Sequence, residues 1–471
     1  MKKCIFRVIC VILTAFIALS AAGCGSDAKE EENGRIVKWE VLKAGFGTVP
    51  YETIAKDFMK THKDITVKIV FNPTINETTS AKLEAGQNLS DVYSCNNIAS
   101  IDRWALKGWL EPIDDVYDYK LETGKTIRES LTGNTAEICS FKDKAYTIPE
   151  YISLTGFVYN KSLFDKHGWK VPETTAELSK LCKKILKDTD EKVSPIVYCG
   201  GAADGYLYFG GENWTYSYEG ISGLDNFYAF KNADVYNPAV FKGKTYALQN
   251  LKKFLFDEGR NTMAGSSGMN HIVAQSKLIK GEAAMMLNGS WFENEMSDVL
   301  KENKDVQIGM FAVPETSDSN GNVIHSKNYK TVDNKQVIQA YFGSYYFIPS
   351  AAKHKDDAKI FLEYLSEQSV CETYTKLTNA IRPFDYELDS SADTYSDMSV
   401  FGKSVLDMAK TKYLYTANPK SEIAIKGIVG FWATGAPPYV KVRDGGNIST
   451  ILNDEYEYAK ANWNKFLKQV Q

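Results

Sequence analysis

IVKWEVLKAGFGTVPYETIAKDFMKTHKDITVKIVF, residues 36–71, is the stretch whose reading decides the architecture of this chain. Val37, Trp39 and Val41 alternate with Lys38 and Glu40, the period-two pattern of a half-buried strand. Gly45-Phe46-Gly47 then turns the chain, and Ile54, Ala55, Phe58 and Met59 recur at helical spacing. Ile65, Val67, Ile69 and Phe71 alternate again as a second strand. The order continues with a helical stretch around Thr78 to Ala85, a short strand at Asp91-Val92-Tyr93, and a helix from Ile98 to Lys107 closed by Gly108. Strand, helix, strand, helix, strand implies a parallel sheet, whose ligand groups gather in the loops at the carboxyl ends of the strands. Here those loops are Gly45 to Thr48, Asn72 to Thr74 and Ser94 to Asn97.

A second unit of the same kind begins after Pro149. Gly156 to Tyr159 reads as a strand, Leu163 to His167 as a short helix stopped by Gly168, and Thr174 with Glu177 has the capping-box spacing that opens a helix to about Leu186. Pro195 to Tyr198 is another strand. Gly200-Gly201 begins a long segment rich in Gly, Tyr and Trp, through Tyr206, Tyr208, Trp214, Tyr216 and Tyr218. Helical spacing returns at Leu248, Leu251 and Leu255 and at Ile272 to Ile279, followed by a strand at Ala283 to Leu287 and the turn Asn288-Gly289-Ser290. The chain carries no internal repeat.

Upstream of these units lies an export signal. Lys2, Lys3 and Arg7 precede the apolar run Val8 to Leu19, and Ser20-Ala21-Ala22-Gly23 supplies small residues before Cys24. The run is shorter than the roughly 18 to 20 residues that span a bilayer comfortably, so cleavage is the expectation. Leu19-Ser20-Ala21-Ala22-Gly23-Cys24 resembles a lipobox, with Ala21 where leucine is usual; the expected product is a chain lipidated at Cys24 once residues 1–23 are removed. An ordinary cleaved signal and a retained anchor are the alternatives. Residues 24–35 then read as a flexible tether, because GSDAKEEENG (25–34) has no aromatic or β-branched residue with which to bury a core.

The rest of the 471-residue chain is too long for one ordinary domain and suits two or three. Hydrophobic residues at 44% provide a large core, and a net charge of −4 argues against a nucleic-acid partner. Cys95, Cys139, Cys182, Cys199 and Cys371 are widely spaced and contain no CxxC, which predicts buried thiols with at most one or two disulfides and no metal site. The aromatic share of 13%, with 28 tyrosines and 8 tryptophans, supplies apolar faces with hydrogen-bonding tips, as a carbohydrate binder needs; most of these rings are nevertheless core.

Three runs together resemble one family. Gly156-Phe157-Val158-Tyr159-Asn160-Lys161-Ser162-Leu163-Phe164, followed by Gly168 and Pro172-Glu173-Thr174, is similar to the "YNK-x-LF, G, P-x-T" pattern of family 1 extracellular solute-binding proteins of ABC importers. Lys280-Gly281-Glu282-Ala283-Ala284-Met285-Met286 with Asn288-Gly289-Ser290-Trp291 resembles the family's "GxAAM…NGxW" segment. Ile348-Pro349-Ser350, Lys353-His354-Lys355, Ala358 and Phe361-Leu362 resemble its "IP-x-x-x-KH-K-x-A-x-x-F" stretch. The resemblance implies a type II periplasmic-binding-protein-like α/β fold, two α/β lobes around a ligand cleft, with lobe one at 36–148 plus 344–398 and lobe two at 149–343 plus 399–471. Ser317 to Gln339 departs from compact members and reads as a polar surface insert. The implied function is capture of a mono- or oligosaccharide and its delivery to the transmembrane subunits of an ABC permease, by a membrane-anchored monomer without a cofactor.

Catalytic signatures are missing from the sequence. His62, His167, His271, His325 and His354 are isolated, and there is no HExxH, GxSxG or GxxxxGK[ST]. Acidic neighbours such as Asp114-Asp115 and Glu293/Glu295 are weak candidates for a glycosidase pair, which needs carboxylates about 5 to 10 Å apart. Arg443-Asp444-Gly445-Gly446-Asn447 reads as a turn rather than a cation site. A surface glycoside hydrolase, and a lipoprotein for peptides or a metal ion, are the competing classes.

The ligand candidates follow from loop position and from the resemblance. Trp291 comes just after a strand in the family's motif, and Trp432, in Phe431-Trp432-Ala433, resembles the late segment where maltose-binding relatives stack a sugar ring. Arg382 is a candidate for vicinal hydroxyls through its forked donors, and Asn72, Ser94, Asn96, Glu150 and Asn288 for single hydroxyl contacts. Phe157 and Tyr159 belong to an apolar strand and read as core. Trp291-Phe292-Glu293-Asn294-Glu295-Met296 also resembles the "W-x-ENEM" stretch of N-acetylglucosamine or chitobiose binders, pointing toward amino sugars. Because the lipid is the expected anchor, Cys24→Ser should move the protein from the membrane to the soluble fraction after high-salt washing.

Overall fold

In the computed structural model, residues 35–43, 45–96, 98–133, 135–201, 205–256, 260–417 and 436–470 are described. The leader, Cys24 and Trp432 lie outside them. Strand β1 (Arg35–Leu42) starts one residue earlier than expected: Arg35, assigned to the tether, pairs with Ile65 and bridges Asp64 and Asp357. β1 runs parallel to β2 (Ile65–Asn72) along its whole length and to β3 (Val92–Cys95) from Trp39 to Val41. Its apolar residues Val37, Trp39 and Val41 are fully buried, as alternation requires. Glu40, on the polar register, is also buried, because helix Ile75–Ala85 covers that face. Its carboxylate accepts from Lys82 Nζ and Asn72 Nδ2, both at 2.7 Å, and from Ser90 Oγ at 3.1 Å. A buried charge so surrounded is compatible with a sheet covered on both faces.

After a small hairpin, β4 (Ser140–Phe141) and β5 (Lys144–Ala145), the chain enters β6 (Ile148–Asn160), 13 residues of nearly continuous burial. β7 (Ser194–Ile196), β8 (Ala283–Gly289), β9 (Ile308–Phe311), β10 (Val337–Phe347) and β11 (Tyr413–Tyr415) complete the strands. The main sheet runs β2-β1-β3-β10-β6-β8-β7, with β9 added to β6 and β11 to β10. β6 changes partners along its length. From Ile148 to Leu154 it is antiparallel to β10; from Thr155 to Tyr159 it pairs with β8, and from Phe157 to Asn160 with β9. β10 likewise pairs with β3 near its end and with β11 at its start. The lobe switches expected after Ile148 and at Gly343–Ser344 therefore fall within two continuous strands.

One stretch that the sequence left without an assigned element takes a definite form, and another departs from its reading. The Gly- and Tyr-rich segment forms a helix, Gly205–Tyr228, broken only where Gly220 takes φ +65°. Glycine weakens a helix in isolation, but here it admits close packing: a Cβ on Gly210 would lie 2.3 Å from Leu287 Cδ1 of β8. The expected insert is a surface loop only in its first part, where Asp318 Oδ1 accepts from the amides of Asn320 and Asn322 at 2.9 Å. Gln336 and Val337 to Gln339 are buried, and the last three begin β10.

Other local readings hold. Helix Lys161–His167 ends at Gly168 with φ +65°, and Thr174 caps helix Thr175–Asp188 by accepting from the Glu177 amide. Arg443 to Asn447 form a turn with Gly445 at φ +93°. Cys95, Cys139, Cys182, Cys199 and Cys371 are buried; burial pushes the Cys139 and Cys182 thiols up to about 12 and Cys371 to about 11.

β6 and β9 approach closely at Gly156. A Cβ on Gly156 would sit 2.3 Å from the Phe311 carbonyl oxygen, which is backbone and cannot rotate aside. Gly156→Ala should therefore destabilise the apo protein by about 1–3 kcal/mol, read as a lower urea midpoint.

Candidate functional site: the interlobe cleft

A cavity of about 430 Å³ lies where the lobes meet. Leu42, Gly45, Phe46, Tyr51 and Asn96 line it from the β1–β3 side; Tyr206, Phe209, Trp291 and Glu295 line it from the β8 side. Its floor comes from the crossing strands, through Tyr151 and Ser153 of β6 and Tyr341, Gly343 and Ser344 of β10. Parallel strands of the first lobe end there, so the loops that follow β1 and β3 open into it.

Aromatic rings dominate the walls. Trp291 meets Phe209 edge-to-face at 5.5 Å and Tyr206 at 6.3 Å, and Phe209 stacks on Tyr341 at 5.7 Å. Phe46 meets Tyr151 edge-to-face at 5.0 Å, and Tyr151 stacks on Tyr374 at 6.2 Å. Two glycines seat these rings. A Cβ on Gly289 would lie 2.2 Å from Trp291 Cζ3, and one on Gly343 would lie inside the Tyr151 ring's contact distance, at 1.9 Å from Cε2. Gly343 also marks the irregular register of β10 against β6 between Phe342 and Ser344. Trp291 begins the short helix Phe292–Glu295 directly after β8, which places its ring on the strand's last residue.

Polar groups are fewer. The Glu295 carboxylate accepts from Gln275 Nε2 at 2.6 Å and lies 3.8 Å from His271 Nε2, whose ring stacks on Tyr206. Beneath the floor, Glu150 is buried and accepts from the Tyr374 hydroxyl at 3.1 Å. Burial raises its carboxyl above the usual range, offset in part by neighbouring hydroxyls and the Arg382 charge.

Of the residues singled out from sequence, Trp291 and Asn96 line the cavity. The other described candidates are placed differently. Arg382 is 1% exposed; its Nε donates to Glu150 O at 2.8 Å and its Nη1 to Leu365 O, while its guanidinium lies 5.0 Å from the Phe384 ring. The expected vicinal-hydroxyl fork is thus directed at main-chain carbonyls, fastening the start of β6 to the end of helix Lys355–Leu365. Glu150 serves the same buried cluster. Asn288 is fully buried and accepts from the Gly289 amide at 2.8 Å; Ser94 accepts from Trp39 Nε1 at 2.9 Å; Asn72 is bonded to Glu40. Each was expected at a strand end, and each has its polar atoms committed to the fold. In the W-x-ENEM stretch only Trp291 and Glu295 reach the cavity.

Phe46, Tyr51, Tyr151, Tyr206, Phe209 and Tyr341 were not singled out as ligand residues. Phe46 had a usable signal, its place in the loop after β1; Tyr206 and Phe209 are hidden by a segment that does not read as helix. A second cavity, about 320 Å³, lies on the helix face that carries Tyr208, Gly211, Glu212 and Thr215, against Leu248 and Tyr439. Burial there raises Glu212 to about 7. That space is walled by helices Gly205–Tyr228, Gly243–Phe254 and Pro438–Arg443 and by Leu452, with no residue of β1 or β3 in its lining.

Among the described residues no three or more His, Cys, Asp or Glu gather as a metal site, and no helix is long and apolar enough to cross a membrane. Residues 47–369 match the profile of the family described as Bacterial extracellular solute-binding protein, and the chain belongs to that family. It is 23% identical over 333 residues to the Multiple sugar-binding protein of Streptococcus mutans, covering 68% of this chain and 69% of that one. It is 22% identical over 297 residues to the Diacetylchitobiose binding protein NgcE of Streptomyces coelicolor, covering 62% and 57%. The solved structure of the solute-binding protein RafE in complex with raffinose superposes with a TM-score of 0.63 at 18% identity, over 90% of this chain and 99% of that one. The fold is accordingly the type II binding-protein arrangement, two α/β lobes around a cleft.

Arg382→Ala separates a structural from a ligand-contacting arginine. Removing the guanidinium leaves buried carbonyls without donors and should lower apo stability by about 3 kcal/mol in chemical denaturation, without a matching loss of affinity in the folded fraction.

Proposed function

We propose that this chain is the membrane-anchored solute-binding component of an ABC importer, and that its ligand is a mono- or oligosaccharide. The observation that carries the reading is the set of rings sharing one interlobe cavity: Trp291, Tyr206 and Phe209 from one lobe, Phe46 from the other, and Tyr151 and Tyr341 from the crossing strands. A pyranose offers C–H faces that pack on aromatic rings and a rim of hydroxyls that need donors and acceptors. Asn96, Ser153, Glu295 and the tyrosine hydroxyls supply that rim. The relatives, a multiple sugar-binding protein and a diacetylchitobiose binding protein, agree with this chemistry.

In this reading lobe one comprises 36–148 and 344–398, lobe two comprises 149–343 and 399–471, and β6 and β10 are the hinge between them. Ligand binding favours the closed arrangement only by the difference in its affinity for the two states. The sugar is released unchanged to the permease. Cys24 carries the lipid that keeps the protein at the outer face of the membrane, and Trp432 is a further stacking candidate. The chain acts as a monomer.

A panel of mono- and oligosaccharides, amino sugars included, tests the proposal by thermal shift. The cognate sugar at 100 times its Kd should add about 2.7 kcal/mol of stability, with no product released. Trp291→Ala should then raise Kd by about ten- to a hundredfold in calorimetric titration while the apo midpoint moves little. A shift with peptides or metal ions but none with sugars would overturn the reading.

A further inference from the structure

The residues from Trp291 to Glu295 divide between the cleft and the joint of the lobes. Trp291 and Glu295 line the cavity, whereas Phe292 is fully buried and packs on Phe401 at 6.3 Å. Asn294 Nδ2 donates to Thr378 O at 2.9 Å. Glu293 Oε2 accepts twice, from Asn379 Nδ2 at 2.8 Å and from Ser399 Oγ at 2.7 Å.

The partners belong to different bodies. Thr378 and Asn379 end helix Gln368–Thr378, which packs on helix Val49–Thr61 beside β1, and Asn379 takes the left-handed conformation at φ +57°. Ser399 is the N-cap of helix Val400–Thr411, which packs on β9, and its Oγ accepts from the Gly402 amide at 3.0 Å. One carboxylate oxygen therefore joins the C-terminal end of a helix in one lobe to the N-terminal cap of a helix on the other. It does so two residues from the cleft tryptophan. The chain also crosses back between the lobes here, between Asn379 and Ser399, with Ile381 bridged to Ile152 of β6.

We infer that Glu293 is a positioning residue: it fixes the angle between the lobes, and with it the placement of the Trp291 ring against the opposite wall. The inference rests on the proposed reading of the cleft as the ligand site, but its first consequence concerns the empty protein. Without the Glu293 oxygen, the helix ends at Asn379 and Ser399 are no longer joined, and the lobes sample a wider range of separations. Ligand binding must then gather a broader ensemble.

The test places spin labels at Lys63→Cys and Lys187→Cys, both exposed and one on each lobe; the five native thiols of the described residues are buried and unlabelled. Glu293→Ala should broaden and lengthen the apo interlobe distance distribution and raise the Kd for the cognate sugar about five- to tenfold. Glu293→Gln keeps an oxygen acceptor where both donors converge, and should stay within about twofold of the parent in affinity with an unchanged distribution. Asn379→Gly, which retains the left-handed backbone and deletes one donor, should behave like Glu293→Ala and stands in for it if that variant does not fold. An unchanged apo distribution in Glu293→Ala, or glutamine as disruptive as alanine, overturns the inference. A broadened apo distribution in a protein that binds no sugar supports it and overturns the sugar reading alone.

Discussion

Everything in this molecule is organised by the double use of β6. A strand has two edges, and along its 13 residues β6 pairs with β10 from Ile148 to Leu154 and, from Thr155 onward, with β8 on one edge and β9 on the opposite one, while Ile152 is bridged to Ile381. That continuity is matched in the core, where one buried cluster runs from Val37 and Trp39 to Met286, Phe292, Met310 and Phe401. Gly156 is demanded by the crowding on the distal half, and Gly343 by the ring of Tyr151 on the proximal half. The cleft lies over this handover, and its floor is made of the same two strands.

Beneath that floor the polar chemistry is structural. Arg382 and Glu150 are both buried, yet they do not form a direct hydrogen-bonded pair; the guanidinium serves carbonyls and the carboxylate serves a tyrosine hydroxyl. Burying two charges costs several kcal/mol each before compensation, and the forked donors of arginine suit divergent carbonyls better than lysine would. The cluster sets the entry of β6 against helix Lys355–Leu365 and so supports Tyr51, Tyr151 and Tyr374 from behind.

The first lobe was legible because its signals are local. Alternation at Val37, Trp39 and Val41 and again from Ile65 to Phe71 survives translation into a parallel pair with no loss of register. Helix Gly205–Tyr228 was illegible because its glycines argue against helix by intrinsic propensity, which its packing on helix Gly243–Phe254, β8 and β10 overrides. At the site, Trp291 and Asn96 were reachable from the rule that ligand loops follow strand ends. The same rule misplaced Ser94, Asn72 and Asn288, since a strand-end polar residue serves the fold equally well when a buried indole, carboxylate or amide lies beside it. Nothing local to Asn379-Ala380-Ile381-Arg382-Pro383 tells that the arginine turns inward.

The glycines under the cleft rings carry a thermodynamic consequence. Trp291 occupies the space above Gly289 and Tyr151 the space above Gly343, so each ring rests on main chain instead of on another mobile side chain. Aromatic side chains already have few rotatable bonds, and a ring pressed against backbone has fewer accessible rotamers still. A ligand arriving at such a surface loses little free energy to freezing its contacts. The entropic burden of recognition then falls on the relative motion of the two lobes, where two strands and one returning segment carry it.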